Sequence, residues 1–156
     1  MDLNQILLTE TNFSKLKDKI KKEKANNNKK IIYSSEDDEL NRKVIEKLPI
    51  DILLITTINR KDFQKQRNSG FNQVMAKIMK KKGIILGINL DELIEEKNSK
   101  RKAEILARIK QNIILCNKNN IKMKFIAEKE QNNKDIYNLK SLGLTLGMPT
   151  WMTKQI

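Results

Sequence analysis

RNSGFNQVMAKIMKKKGIILGINLDEL (Arg67–Leu93) is the stretch on which the fold turns. Asn68-Ser69-Gly70 is turn chemistry, and Ser69 is a residue type that caps a helix. The residues after it place Phe71, Val74, Ile78 and Met79 at helical spacing, which predicts a helix over Gly70–Lys82. Gly83 ends that helix, and the apolar run from Ile84 to Asn89 predicts a buried strand. Arg67, Lys77, Lys80, Lys81 and Lys82 give the unit a basic face, with no acid before Asp91.

The same alternation extends in both directions. Toward the N-terminus, strands are expected over Asn4–Thr9, Ile31–Ser34 and Asp51–Thr56. Helices are expected over Asn12–Lys24 and Glu39–Leu48, the second stopped by Pro49. Ala25–Lys30 reads as a polar turn and Asn59–Asn68 as a basic loop. Toward the C-terminus come a short helical turn over Leu90–Glu96, a long helix over Lys100–Asn119 and a strand over Lys122–Ala127. A helix over Asp135–Leu146 and a last turn at Pro149 carrying Trp151 complete the order. Five apolar strands alternating with helices imply a parallel α/β sheet with right-handed crossovers.

The length of 156 residues predicts one domain with an ordinary core. Lys and Arg number 32 against 19 Asp and Glu, a net charge of +13 that points to a polyanionic partner. An abundance of Lys, Asn and Ile, as in AT-rich genomes, is the competing explanation. Arginine is the sharper sign because its planar fork suits phosphate. Of Arg42, Arg60, Arg67, Arg101 and Arg108, all but the first fall between positions 60 and 108. Arg60–Lys82 carries eight bases and one acid, and Lys100–Lys124 the same, whereas Ser34–Glu46 carries five acids and two bases. A one-sided positive field follows if the two basic helices are neighbours.

The chain has no histidine, so the commonest general base and metal ligand is missing. Its one cysteine, Cys116, continues the apolar stripe Ile105, Ile109, Ile113 and reads as a buried hydrophobe. No disulfide, zinc site or phosphate-binding glycine loop is expected. Glu36, Asp37, Asp38 and Glu39 suit either a hard cation or, more simply, a helix N-terminus. Glu128 and Glu130 read as loop solvation. Met1-Asp2-Leu3 does not open a secretory leader, and no run approaches the ~20 apolar residues of a membrane span. These features, with a single cysteine, suggest a cytoplasmic protein. A receiver-like signalling domain, also built of five β/α units, is disfavoured. Its third strand would need a terminal aspartate where Thr56-Thr57-Ile58 stands, and only Lys129 is suitably placed.

DILLIT (Asp51–Thr56), the opening stretch, RKAEILARIKQNIILCNKNNIKMKFI (Arg101–Ile126) and NLKSLGLTLGM (Asn138–Met148) occur in an order that resembles protein component 3 of archaeal ribonuclease P. That family is related to the 30-kilodalton subunit of the eukaryotic RNase P and MRP particles. The resemblance runs from about Val44 to Thr153. It implies a single β/α domain: abbreviated units over 1–50, the best-matching region over 51–148, and a C-terminal turn over 149–156. An open, abbreviated TIM-barrel-like (PHP-like) fold is expected, because 156 residues cannot supply eight strands and eight helices.

The resemblance further implies a non-catalytic subunit that supports the catalytic RNA in 5′ maturation of precursor tRNA, beside protein component 2. Mg2+ would serve the RNA, and the protein would bind no cofactor and no metal. The RNA-binding residues expected are Arg60, Arg67, Ser69, Gly70, Asn72, Lys77, Lys80, Lys81, Lys82, Arg101, Arg108 and Lys110. The loop Ala127–Asp135 departs from the family's pattern, so no contact is carried over to it. A module of another ribonucleoprotein, such as a ribosomal factor, is the alternative.

Overall fold

The computed structural model describes residues 4–27 and 29–156. The leader reading of Met1, Asp2 and Leu3 lies outside the described residues, as does Asn28 in the expected turn. Five strands form one all-parallel sheet: β1 (Gln5–Leu8), β2 (Lys30–Tyr33), β3 (Ile52–Ile55), β4 (Ile85–Asn89) and β5 (Met123–Ile126). Between and after them run α1 (Phe13–Asn27), α2 (Asp38–Lys47), α3 (Gln73–Lys82), α4 (Leu90–Glu95), α5 (Ser99–Asn119), α6 (Ile136–Leu146) and α7 (Thr150–Thr153).

The strands lie in chain order, β1-β2-β3-β4-β5. Sequential order means that every crossover turns the same way, so the helices stack on one face. Burial follows that rule. Ile31, Tyr33, Leu53, Ile55, Leu86, Ile88, Met123 and Phe125 join the helices' Leu16, Ile20, Val44, Ile45, Met75, Met79, Ile105, Ile109 and Cys116 in the main core. The opposite face forms a separate cluster made only of strand residues: Ile32, Ile52, Leu54 and Ile126, with Leu7 and Ile85 packed against them. Opposite pointing of successive strand residues produces this division. A receiver-like domain is doubly wound with strand order 2-1-3-4-5, so the topology excludes it. The sheet is the wall of an open TIM-like barrel.

That wall curls. Gln5 on β1 and Lys124, Phe125 and Ile126 on β5 line one cleft of about 360 Å3, so the two ends of the sheet face each other. The concave side is filled from within. Leu54 pairs with Gly87 across β3 and β4. A side chain at Gly87 would meet Leu54 Cδ1 at 3.0 Å and Ile52 Cγ2 at 3.2 Å.

Several expected boundaries shift. The first helix continues to Asn27 rather than turning at Ala25. The third begins at Gln73, not Gly70, because Gly70 takes the left-handed φ of 73°. Its cap is Asn72, whose Oδ1 accepts from the amides of Val74 and Met75. Ser69 is therefore not the cap. Gly83, φ 70°, ends α3 in the left-handed conformation expected of a C-terminal glycine.

Candidate nucleic-acid interface

The loop between β3 and α3, residues 56–72, lies at the C-terminal end of the sheet and is clamped from three sides. Arg108 reaches it from α5. Its Nη1 donates to the Thr57 carbonyl at 3.1 Å, and its Nη2 donates to the Arg60 carbonyl at 2.8 Å and to Asp62 Oδ1 at 3.2 Å. Arg60, within the loop, reaches outward to α2. Its Nη1 and Nη2 each lie 2.8 Å from the Asp38 carboxylate, a parallel two-bond pairing. Glu92 on α4 supplies the third hold. Its Oε2 accepts from the Thr57 amide and hydroxyl, each at 2.8 Å, and from the Ile58 amide at 3.2 Å.

The loop also braces itself. Asn68 donates its amide to Asp62 Oδ1 at 2.8 Å, while its own Oδ1 accepts from Arg60 and from the Gly70 amide. The Asn68 amide holds the Asp62 carboxyl below its ordinary pKa, and Arg108 and Arg67 add to that. Glu92 is displaced the other way: burial pushes its carboxyl up, and the bonds from Thr57 and Ile58 oppose this only in part. Its neighbour Asp91 clasps a second loop, accepting from the amides of Glu128 and Lys129 and from Asn132 Nδ2. Two consecutive acids in the first turn of α4 thus fix the loops after β3 and after β5.

The twelve expected RNA-binding residues divide sharply under this geometry. Arg108 is buried, with 3% of its surface exposed, and the side chain of Arg60 is 8% exposed. Both guanidinium groups bond to the protein itself, and Arg108 Nε is buried without a partner. Ser69 is buried, donating to the Phe71 carbonyl and accepting from Gln111. Gly70 is buried beside the Arg60 guanidinium, which a side chain there would strike. Asn72 is exposed, but its oxygen is committed to capping α3. Four of these are corrections: Arg108, Arg60, Ser69 and Gly70 are built into the loop, whereas Asn72 stands at its surface with only its oxygen engaged.

Seven more lie on the outside: Arg67, Lys77, Lys80, Lys81, Lys82, Arg101 and Lys110. Lys80 donates to the Asn120 carbonyl at 3.1 Å and Lys82 to the Glu46 carbonyl at 2.6 Å, which ties both to neighbouring elements. Arg67 approaches Asp62 at 3.8 Å. Lys77, Lys81, Arg101 and Lys110 have no side-chain partner among the described residues. The helices that carry them, α3 and α5, pack side by side and are linked by Gln73 and Asn119, which bond reciprocally. The exposed basic residues therefore lie on two neighbouring helices and on the loop before the first of them.

Two of the acidic candidates are structural. Asp37 caps α2, accepting from the amides of Glu39 and Leu40, and Asp38 pairs with Arg60. Lys129 is bound to Glu95 at 2.6 Å. Among the described residues, no three His, Cys, Asp or Glu side chains gather closely enough to hold a metal ion. Cys116 is buried, and burial raises its thiol pKa far above the ordinary value. No helix among the described residues is long and apolar enough to cross a membrane.

The loop-clamping set was missed in the sequence, although a signal existed. Arg108 sits in step with Ile105, Ile109, Asn112 and Cys116 on the buried stripe of α5. An arginine on that stripe must find its hydrogen bonds indoors. Asp91 and Glu92 stand directly after the capping Asn89, where a helix start accounts for them too easily.

No protein-family model matches the sequence, and no curated protein does. Among solved structures, the chain is similar to a chain in the cryo-EM structure of archaeal ribonuclease P with mature tRNA, with a TM-score of 0.77 and 22% sequence identity. The match takes in 96% of this chain and 62% of that one, so this chain spans about three-fifths of its structural relative's length. What the two share is the fold.

Proposed function

We propose that this chain is a protein subunit of a ribonuclease P, equivalent to its protein component 3. It binds and steadies the catalytic RNA for removal of the 5′ leader from precursor tRNA. The observation that carries this reading is the likeness of fold, over 96% of the chain, to a chain of archaeal ribonuclease P with tRNA. The ordered phrases between Asp51 and Met148 favour the same family independently.

In this reading the protein adds no catalytic group. Mg2+ and the scissile chemistry belong to the RNA, and the protein contacts precursor tRNA only through it. Lys77, Lys81 and Arg101 neutralise phosphates of a folded RNA, and Arg67 and Lys110 stand at the margin of that surface. Recognition is by backbone and shape, since exposed aromatic plates for stacking bases are few: Phe63 and Tyr137 are the large ones. Protein component 2 docks along the open seam where β1 and β5 face each other, because an unpaired strand edge needs cover. The assembly works in the cytoplasm.

Reconstitution tests the reading. The protein, a ribonuclease P RNA and component 2 are combined with precursor tRNA at limiting magnesium. Cleavage should rise when this chain is added. Cleavage that is the same with and without it returns the chain to the class of general RNA-binding modules.

A further inference from the structure

One groove of the surface combines apolar and basic side chains. A groove of about 670 Å3 separates the start of α3 and the loop before it from the middle of α5. Phe71, Ile114 and Leu115 supply its apolar lining, and Arg67, Lys110 and Lys118 its basic lining. Ile114 leaves 70% of its surface in water, while its neighbours Ile113 and Cys116 are buried in the core. Val74, on the first turn of α3 beside the groove's Gln73, is 48% exposed. A branched aliphatic side chain left in water in a groove rimmed by lysines suits contact with another protein. RNA makes poor use of it, because nucleobases stack on aromatic plates and phosphates avoid apolar walls.

The dimensions and charge narrow the occupant. From Ala107 to Lys118, the two ends of the α5 wall, the helix rises about 16 Å, room for roughly three turns of a second helix. The groove is preformed. Gln111 donates to the Arg67 carbonyl and the Ser69 hydroxyl, locking the loop wall to the helix wall. Among the described residues no aspartate or glutamate lines it. Lys110 and Lys118 have no side-chain partner among the described residues. The apolar lining therefore calls for aliphatic side chains at helical spacing, and the basic lining calls for carboxylates.

We propose that this groove docks an acidic amphipathic helix of another protein. The inference does not rest on the ribonuclease P reading, which stands or falls by reconstitution. The probe is a fluorescent peptide of roughly 14 residues, with leucines at i, i+3 and i+7 and glutamates on its remaining faces. Its control replaces every glutamate with lysine. Both are titrated against the full chain, with an RNA hairpin as a third arm, and the contact is mapped by amide chemical shifts.

The acidic peptide should bind, with shifts concentrated at Gln66–Gln73 and Ala107–Lys118, and the lysine peptide should bind at least about tenfold more weakly. Ile114→Ser, at an exposed position that the fold does not need, should weaken the acidic peptide by about tenfold and leave the hairpin unaffected. Absence of peptide binding overturns the proposal, as does equal binding of the two peptides. A hairpin that shifts the groove amides and loses affinity in Ile114→Ser assigns the groove to nucleic acid instead.

Discussion

The guanidinium of Arg108 lies 2.8 Å from the backbone carbonyl of Arg60, 48 residues earlier in the chain. One arginine holds the main chain of another, and the second carries its own side chain away to Asp38. The loop that presents Arg67 is thereby suspended between α5 and α2.

Removing the first of these anchors should release the loop. Arg108→Ala leaves the Thr57 and Arg60 carbonyls and the Asp62 carboxylate short of a donor, and should cost about 2–4 kcal/mol. Lysine should recover little, because one ammonium cannot reproduce a planar fork. Urea titration gives the stability, and hydrogen exchange should show faster amides from Thr57 to Gly70. An Arg108→Ala variant as stable as the parent would show that the buried contacts carry no net weight.

Glycine replacements should separate two costs. Gly83 and Gly147 take positive φ but have open space around the missing Cβ, so alanine there should cost about 1 kcal/mol. Gly70 combines positive φ with a collision against Arg60, and Gly70→Ala should cost about 2–3 kcal/mol or more. Chemical denaturation of the three variants ranks them. Equal losses would mean that the Arg60 side chain moves aside freely.

Glu92 predicts an unusual pH response. Its folded-state pKa is raised by burial, so the folded chain holds this proton more tightly than the unfolded chain does. Its contribution to stability is therefore full at acid pH and falls as pH rises from the ordinary glutamate value through the raised one. Glu92→Gln can keep an oxygen facing Thr57 and Ile58 without a buried charge. The variant should gain on the parent at neutral pH, and the gap should close below about pH 4. A gap that instead widens on acidification would contradict the sign.

The cationic flank should announce itself through salt. Lys77, Lys81 and Arg101 have no side-chain partner among the described residues, so replacing all three with alanine should leave the unfolding midpoint close to that of the parent. If each meets one phosphate, the slope of log affinity against log salt for a structured RNA should fall by about 2–3. An unchanged slope would move the RNA contact elsewhere on the protein.

Local order was readable in the residues. The runs ILLI and ILGIN, the Gly83 stop and the stripe of α5 placed strands and helices within a few residues of where they lie. The order of strands was not readable, since a sequential sheet and a doubly wound one use the same alternating units. What separates them is which face each crossover takes, a property of packing between elements and not of any one element. The site misled for a related reason. Ser69 and Asn72 are both good caps, and only the positive φ at Gly70 decides between them. Arginine was read as surface charge, although position 108 faces inward on its helix.

With Leu54 and Ile52 packed over Gly87, the middle of the hollow side is closed to a small metabolite among the described residues, and the vacant space on that wall lies at its seam between β1 and β5. Such a molecule must be met on the exterior, at loops, helix flanks or strand rims. Those regions can diverge in sequence while the sealed middle stays the same.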